Sequence, residues 1–142
     1  MIWNLTKKVI ISKRSVSALG FLERGRGMIG RKFEDFDAMI FNNCNAIHTM
    51  FMTDKIDVLF VDRENRICDL RKNLQPWLPL VRAVNASSVI ELPENTIERT
   101  GTETGDFIDL NAELGEKAIA SLKMGPIPAV TPETVVPYER KN

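Results

Sequence analysis

Apolar residues in this chain come in short runs, and polar, glycine or proline residues break them apart. Short alternating runs bounded by turn residues predict β-strands. Strands are expected at Val9–Ile11, Ala38–Phe41, Ala46–Met52, Lys55–Val61, Arg66–Leu70, Leu80–Ala83, Ser88–Leu92 and Asp106–Leu110. Asn42-Asn43-Cys44-Asn45 and Asp62-Arg63-Glu64-Asn65 read as turns, because asparagine tolerates the left-handed region. Pro76 and Pro79 mark irregular chain around Trp77. Three short helices are expected. Ser17–Arg24 ends at Gly25 and Gly27. Asn95-Thr96-Ile97-Glu98 fits a capping box, with Asn95 as N-cap and Glu98 reaching back, and Gly101 ends that helix. Asn111 caps an amphipathic stretch through Lys123, with Leu114, Ala118, Ile119 and Leu122 on one face. Gly125-Pro126 stops it, and Pro126, Pro128, Pro132 and Pro137 favour extended, polyproline-like chain beyond.

The sharpest local expectation concerns Ile47–Asp62. A two-residue loop at Thr53-Asp54 would pair Met52 with Lys55 in a hairpin. Alternation then puts Ile47, Thr49, Phe51, Ile56, Val58 and Phe60 on a core face. The other face carries His48, Met50, Met52, Asp57 and Leu59, with His48 and Asp57 as diagonal neighbours.

Length and composition bound this picture without changing it. The chain has 142 residues, 44% hydrophobic and 27% charged, which suits one globular domain with its own core. Residues 1–124 form the expected domain and 125–142 the extended tail. The formal net charge is zero, but Lys7, Lys8, Lys13, Arg14, Arg24, Arg26, Arg31 and Lys32 face only Glu23 in the first 32 residues. A basic segment packed on an acidic body explains this better than a nucleic-acid or membrane-facing arm does. Trp3 and Phe21 are a thin set for base stacking, so nucleic acid is the disfavoured partner. Cys44 and Cys68 match no zinc spacing and read as free thiols of a reducing compartment. No apolar run suits an export signal or a membrane span, so a cytoplasmic location is expected.

Candidate chemistry is sparse. His48 is the only histidine, and an imidazole beside a carboxylate is a common acid/base device. A structural hydrogen bond between His48 and Asp57 is the commoner use of such a pair. No serine or cysteine sits in a nucleophile elbow. His48, Asp54, Asp57 and Asp62 have no diagnostic metal spacing, and no metal or cofactor is expected. Gly25–Arg31 is glycine-rich without the spacing of a phosphate loop. The methionines Met28, Met39, Met50, Met52 and Met124 read as core filling before they read as an adaptable surface. Trp77, between prolines, reads as a plug at the end of a barrel before it reads as an exposed binding aromatic.

Several motifs then occur in order. Gly27-Met28-Ile29-Gly30-Arg31 comes first, followed by Ile47-His48-Thr49-Met50-Phe51-Met52. Ile56-Asp57-Val58-Leu59-Phe60-Val61-Asp62, Pro76-Trp77, Val89-Ile90-Glu91-Leu92-Pro93 and Gly105-Asp106 complete the set. Over residues 9–110 the chain resembles the domain-of-unknown-function 192 family, also known as uncharacterised protein family 0127. Lys55 stands where that family usually has proline, and Glu94-Asn95-Thr96 stands for its usual Ala-Gly-Thr. The resemblance implies a compact, barrel-like, mostly β fold (α+β by content) with two or three short helices, and no established reaction. Many relatives are exported or membrane-anchored, some beside secretion or pilus systems. That association transfers poorly to a chain without an evident export signal. The expected function is a non-catalytic binding or accessory domain for a protein or small-molecule partner. His48, Met50, Met52, Asp57 and Trp77 are its candidate contacts. The alternative is a small hydrolase-like acid/base enzyme using His48 and Asp57.

Overall fold

The structure is a computed structural model and describes residues 1–19, 28–30 and 32–111. In chain order its strands are β1 (Ile2–Asn4), β2 (Val9–Ser12), β3 (Ser15–Ser17), β4 (Ala38–Asn42) and β5 (Ala46–Ile47). There follow β6 (Ile56–Val61), β7 (Ile67–Leu74), β8 (Val81–Arg82), β9 (Ser88–Pro93), helix α1 (Thr96–Thr100) and β10 (Ile108–Asp109). The fold is mostly β, as expected.

β6 is rich in β-branched and aromatic side chains, and it is buried along its whole length. Antiparallel partners occupy both of its edges, β7 on one side and β9 on the other. β4 adds beyond β9, and β3 runs parallel to β4, giving the order β3-β4-β9-β6-β7. β10-β1-β2 form a second sheet and β5-β8 a third. The three sheets do not close into a barrel.

Each face of the five-stranded sheet carries its own core. Leu59, Val61, Ile90 and Leu92 point to one side and pack with Ile2, Ile11, Ile97 and Ile108. The small sheet and α1 therefore cover that face. Ile56, Val58, Phe60 and Val89 point to the other side and pack with Met28, Met39, Phe41, Ile47 and Met52. The methionines Met28 and Met39 fill core, as expected, and Met52 joins them there.

Several expected elements take a different form. The strand from Ala46 stops at Ile47, and the hairpin with β6 does not exist. Both edges of β6 are already taken, so residues 48–52 have no place beside it. β5 pairs instead with β8, where only Val81–Arg82 of the expected Leu80–Ala83 is strand. Ser17 is strand, Ala18 and Leu19 are irregular rather than helical, and the remainder of that expected helix, residues 20–24, lies outside the described residues. So do the helix expected from Asn111 to Lys123 and the proline-rich tail. One short helix is described, and its capping box is absent. Asn95 sits at φ 65° without a side-chain cap bond. The Glu98 carboxylate accepts a bond from Lys72 at 2.6 Å. The cap comes from β6, where Asp57 Oδ2 accepts the Ile97 N–H at 2.7 Å. Gly101, at φ 62°, ends the helix. Among the described residues no helix is long and apolar enough to cross a membrane.

Candidate functional site

Thr49 organises the irregular chain beside β5. Its hydroxyl donates to the Gln75 carbonyl at 2.7 Å and accepts the Leu78 N–H at 2.9 Å. Its backbone N–H donates to the Leu78 carbonyl at 2.9 Å, and its carbonyl accepts from Trp77 at 2.8 Å and from Met52 at 3.2 Å. Thr49 is fully buried, and these bonds tie the 48–52 turn to the 75–78 turn. Thr49→Val keeps the shape and removes the hydroxyl. It should cost about 1–2 kcal/mol in urea unfolding, since the part-buried Leu78 N–H and Gln75 carbonyl each lose their partner. A cost below about 0.5 kcal/mol would mean that the hydroxyl does not hold these turns together.

The tied turns present two aromatic rings to solvent. Phe51 is 61% exposed and Trp77 is 58% exposed. Their rings meet edge to face, 5.1 Å between centroids. Both residues lie in the left-handed region, Phe51 at φ 63° and Trp77 at φ 69°. Bulky residues avoid that region, and such strain collects at ligand-binding positions. Leu80 and Val84 are also exposed, 66% and 77%, as is Arg82 between them in sequence.

The sequence-derived candidates do not converge. Trp77 plugs no barrel; it stands in solvent, because its backbone is pinned outward by Thr49. Phe51, expected in the core, is exposed, and Met52, expected outside, is buried. The left-handed turn at Phe51 breaks the alternation on which both expectations rested. His48 and Met50 are half-buried. Asp57 is fully buried and both of its oxygens are engaged, by the Asn73 N–H at 2.8 Å and the Ile97 N–H at 2.7 Å. It points to the face covered by α1, whereas Ile47 and Met52, which bracket His48, pack on the opposite face. The hairpin expected to bring His48 beside Asp57 therefore does not form. Asp62 accepts from the Glu64 and Arg66 N–H groups. No group of three metal-ligating side chains occurs among the described residues.

Two further features escaped the sequence reading. Asn43, Asn45, Asp62, Arg63, Asn85 and Ser87 help line a polar cleft of about 750 Å³. The Cys44 thiol, also in its wall, donates to the Ala46 carbonyl. The second is Glu91 in β9, 2% exposed, whose Oε2 has no hydrogen-bond partner. Its register neighbours are Met39 and Val58, so it faces the second core. Burial pushes its carboxyl up to about 8. The available signal was a lone acid in phase with Val89 on the expected strand Ser88–Leu92.

Comparison with known proteins agrees with this fold. A solved structure from Novosphingobium aromaticivorans, of a protein of unknown function, superposes with a TM-score of 0.60 at 22% identity. The match covers 67% of this chain and 73% of that one. A Sinorhizobium meliloti protein, described as a candidate transcription regulator, gives 0.60 at 20% identity over 67% of this chain and 79% of its own. Both likenesses concern the fold alone. A UPF0127 protein of Thermococcus sibiricus is 34% identical over 127 residues, covering 85% of this chain and 81% of that protein. The DUF192 family model, described as "Uncharacterized ACR", matches residues 11–110, and the chain belongs to that family.

Proposed function

We propose that this domain is a recognition module that holds an extended, proline-containing polypeptide segment against Phe51 and Trp77. The exposed aromatic pair carries the reading. Single exposed apolar residues are ordinary, but two strained rings fixed edge to face by a buried threonine are a built surface. Aromatic surfaces of this kind suit polyproline chain, which is already extended and loses little entropy on docking. Of the other candidate contacts, His48 and Met50 flank the pair in sequence. Met52 and Asp57 act from below, as core and scaffold. The acid/base alternative loses its support, because Asp57 is engaged by two backbone N–H groups. A nucleic-acid role stays the weaker alternative, since Trp3, one of its two N-terminal stacking candidates, is buried. The proposed compartment is the cytoplasm, where Cys44 and Cys68 stay reduced.

The test is a titration of the full chain with a synthetic peptide of alternating proline and valine, read from the backbone amide signals of residues 48–52 and 78–82 by NMR. The double variant Phe51→Ser, Trp77→Ser should weaken binding by about tenfold or more, while its thermal midpoint moves by only a few degrees. Absence of any peptide-dependent shift in both the wild type and a variant with its own proline segment disrupted would sink the reading.

A further inference from the structure

β7 is the outermost strand on its side of the five-stranded sheet, and β6 occupies one of its two edges. The bonding direction along β6 fixes what the other edge presents. The Val61 carbonyl accepts the Ser87 N–H at 2.7 Å, so Val61 bonds toward β9. Asp62, one residue on, donates its N–H to the Arg66 carbonyl on the β7 side. Alternation therefore turns Leu59 toward β9 as well. Leu70 stands opposite Leu59, so its own N–H and carbonyl point away from β6. An outward N–H and carbonyl on an edge strand are a template for a further strand.

That template is filled at three places. At one end the Ile67 N–H donates to the Asp106 carbonyl at 2.9 Å, and the Ile67 carbonyl accepts the Gly105 N–H at 2.8 Å. At the other end the Asn73 side chain accepts the Asn95 N–H at 3.2 Å. Between them, among the described residues, no strand lies against Leu70. Two side chains stand in for one. Asp69 Oδ1 accepts the Leu70 N–H at 2.8 Å, and the Arg71 guanidinium donates to the Leu70 carbonyl at 2.8 Å. The same guanidinium nitrogen pairs with Asp69 Oδ1. The guanidinium also lies 5.9 Å from the centre of the Phe60 ring. β7 carries an extra residue on each side of this stretch, between Ile67 and Asp69 and between Arg71 and Leu74. Residues 69–71 are thus a short regular run whose outward donor and acceptor are both taken by one ion pair.

We infer that the Asp69–Arg71 pair is a guard that closes the outer edge of β7 against strand addition by a second copy of this chain. Being partly exposed, the pair adds little stability by itself. Its effect lies in what it excludes. A second copy is the strand that fits, because this edge is complementary to itself. Antiparallel pairing of Leu70 with Leu70 of the second copy sets Asp69 opposite Arg71 of that copy, and Arg71 opposite its Asp69, so no like charges meet. With the guard shut, Leu70 offers neither a free donor nor a free acceptor, and the chain stays single.

Sedimentation velocity of the full chain tests this. The wild type should stay monomeric from low to high micromolar concentration. Asp69→Thr, Arg71→Thr removes both caps while keeping strand-forming residues, and should give a dimer that dissociates on dilution. Lys72→Thr, Glu98→Thr removes a neighbouring ion pair that caps no backbone group, and should remain monomeric. Hydrogen exchange at the Leu70 amide locates the contact. In the dilute double variant it should speed up by about tenfold, since the N–H loses its acceptor, and it should slow again as the dimer forms. A double variant that stays monomeric at every concentration overturns the inference. So does a dimer in which the Leu70 amide exchanges as fast as in the monomer, and so does a wild type that already pairs through Leu70. If the double variant does not fold, Asp69→Ala, which bares the Leu70 N–H alone, is read by the same two measurements with the same outcomes.

Discussion

Between pH 5 and pH 8 the unfolding free energy should fall by about 1.4 kcal/mol per pH unit, and Glu91→Gln should flatten that slope. The cause is the raised folded-state pKa of one buried acid. Unfolded, Glu91 ionises near its ordinary value of 4.5; folded, burial holds the proton until about 8. Across that window the folded state carries one proton more than the unfolded state. Stability therefore declines as pH rises, and the decline stops once pH passes the folded value. The full effect is about 5 kcal/mol, an upper figure, and large against the roughly 5–15 kcal/mol of a typical domain. Other shifted groups titrate outside the window. Asp69 is held below its usual range by its bond from the Arg71 guanidinium. The Cys68 thiol is pushed up by burial from an already higher value. Urea unfolding of both proteins at pH 5, 6.5 and 8 measures the slopes, and equal slopes would remove Glu91 as the cause.

Asp57→Ala should cost about 3–4 kcal/mol, whereas Asp57→Asn should cost about 1–2. The carboxylate joins three elements: it belongs to β6, receives the Asn73 N–H from β7 and caps α1 through Ile97. Alanine leaves two N–H groups without an acceptor at a site closed to water. Asparagine keeps one acceptor oxygen. Chemical denaturation gives the totals, and hydrogen exchange at Ile97 should rise in the alanine variant before global unfolding. A loss under 1 kcal/mol on Asp57→Ala would mean that the cap is dispensable.

The chain by itself determined the local pieces. Ile56–Val61 declares a strand through its β-branched and aromatic run, and Val89–Leu92 does the same. The Asp62–Asn65 turn and the Gly101 helix stop were legible because single residues, Asn65 at φ 61° and Gly101 at φ 62°, carry those geometries. The ordered motifs also carried the family resemblance, which the 11–110 match bears out.

Tertiary structure decided what those pieces face. Alternation along β6 separated Ile56, Val58 and Phe60 from Asp57, Leu59 and Val61, but nothing in it says whether one side or both will be covered. Here both are, because β7 and β9 claim its edges and a core forms on each face. That excluded the local hairpin across which His48 was expected to meet Asp57. The true partner of Asp57, Ile97, lies 40 residues away, a distance over which no local pattern speaks. The exposure of Phe51 and Trp77 likewise depends on Thr49 bonding to residues 26 and 29 positions along the chain. The segment from Ile47 to Asp62 is therefore strand by composition only in its second half. In its first half, long-range hydrogen bonds override β-propensity, and the candidate binding surface arises there.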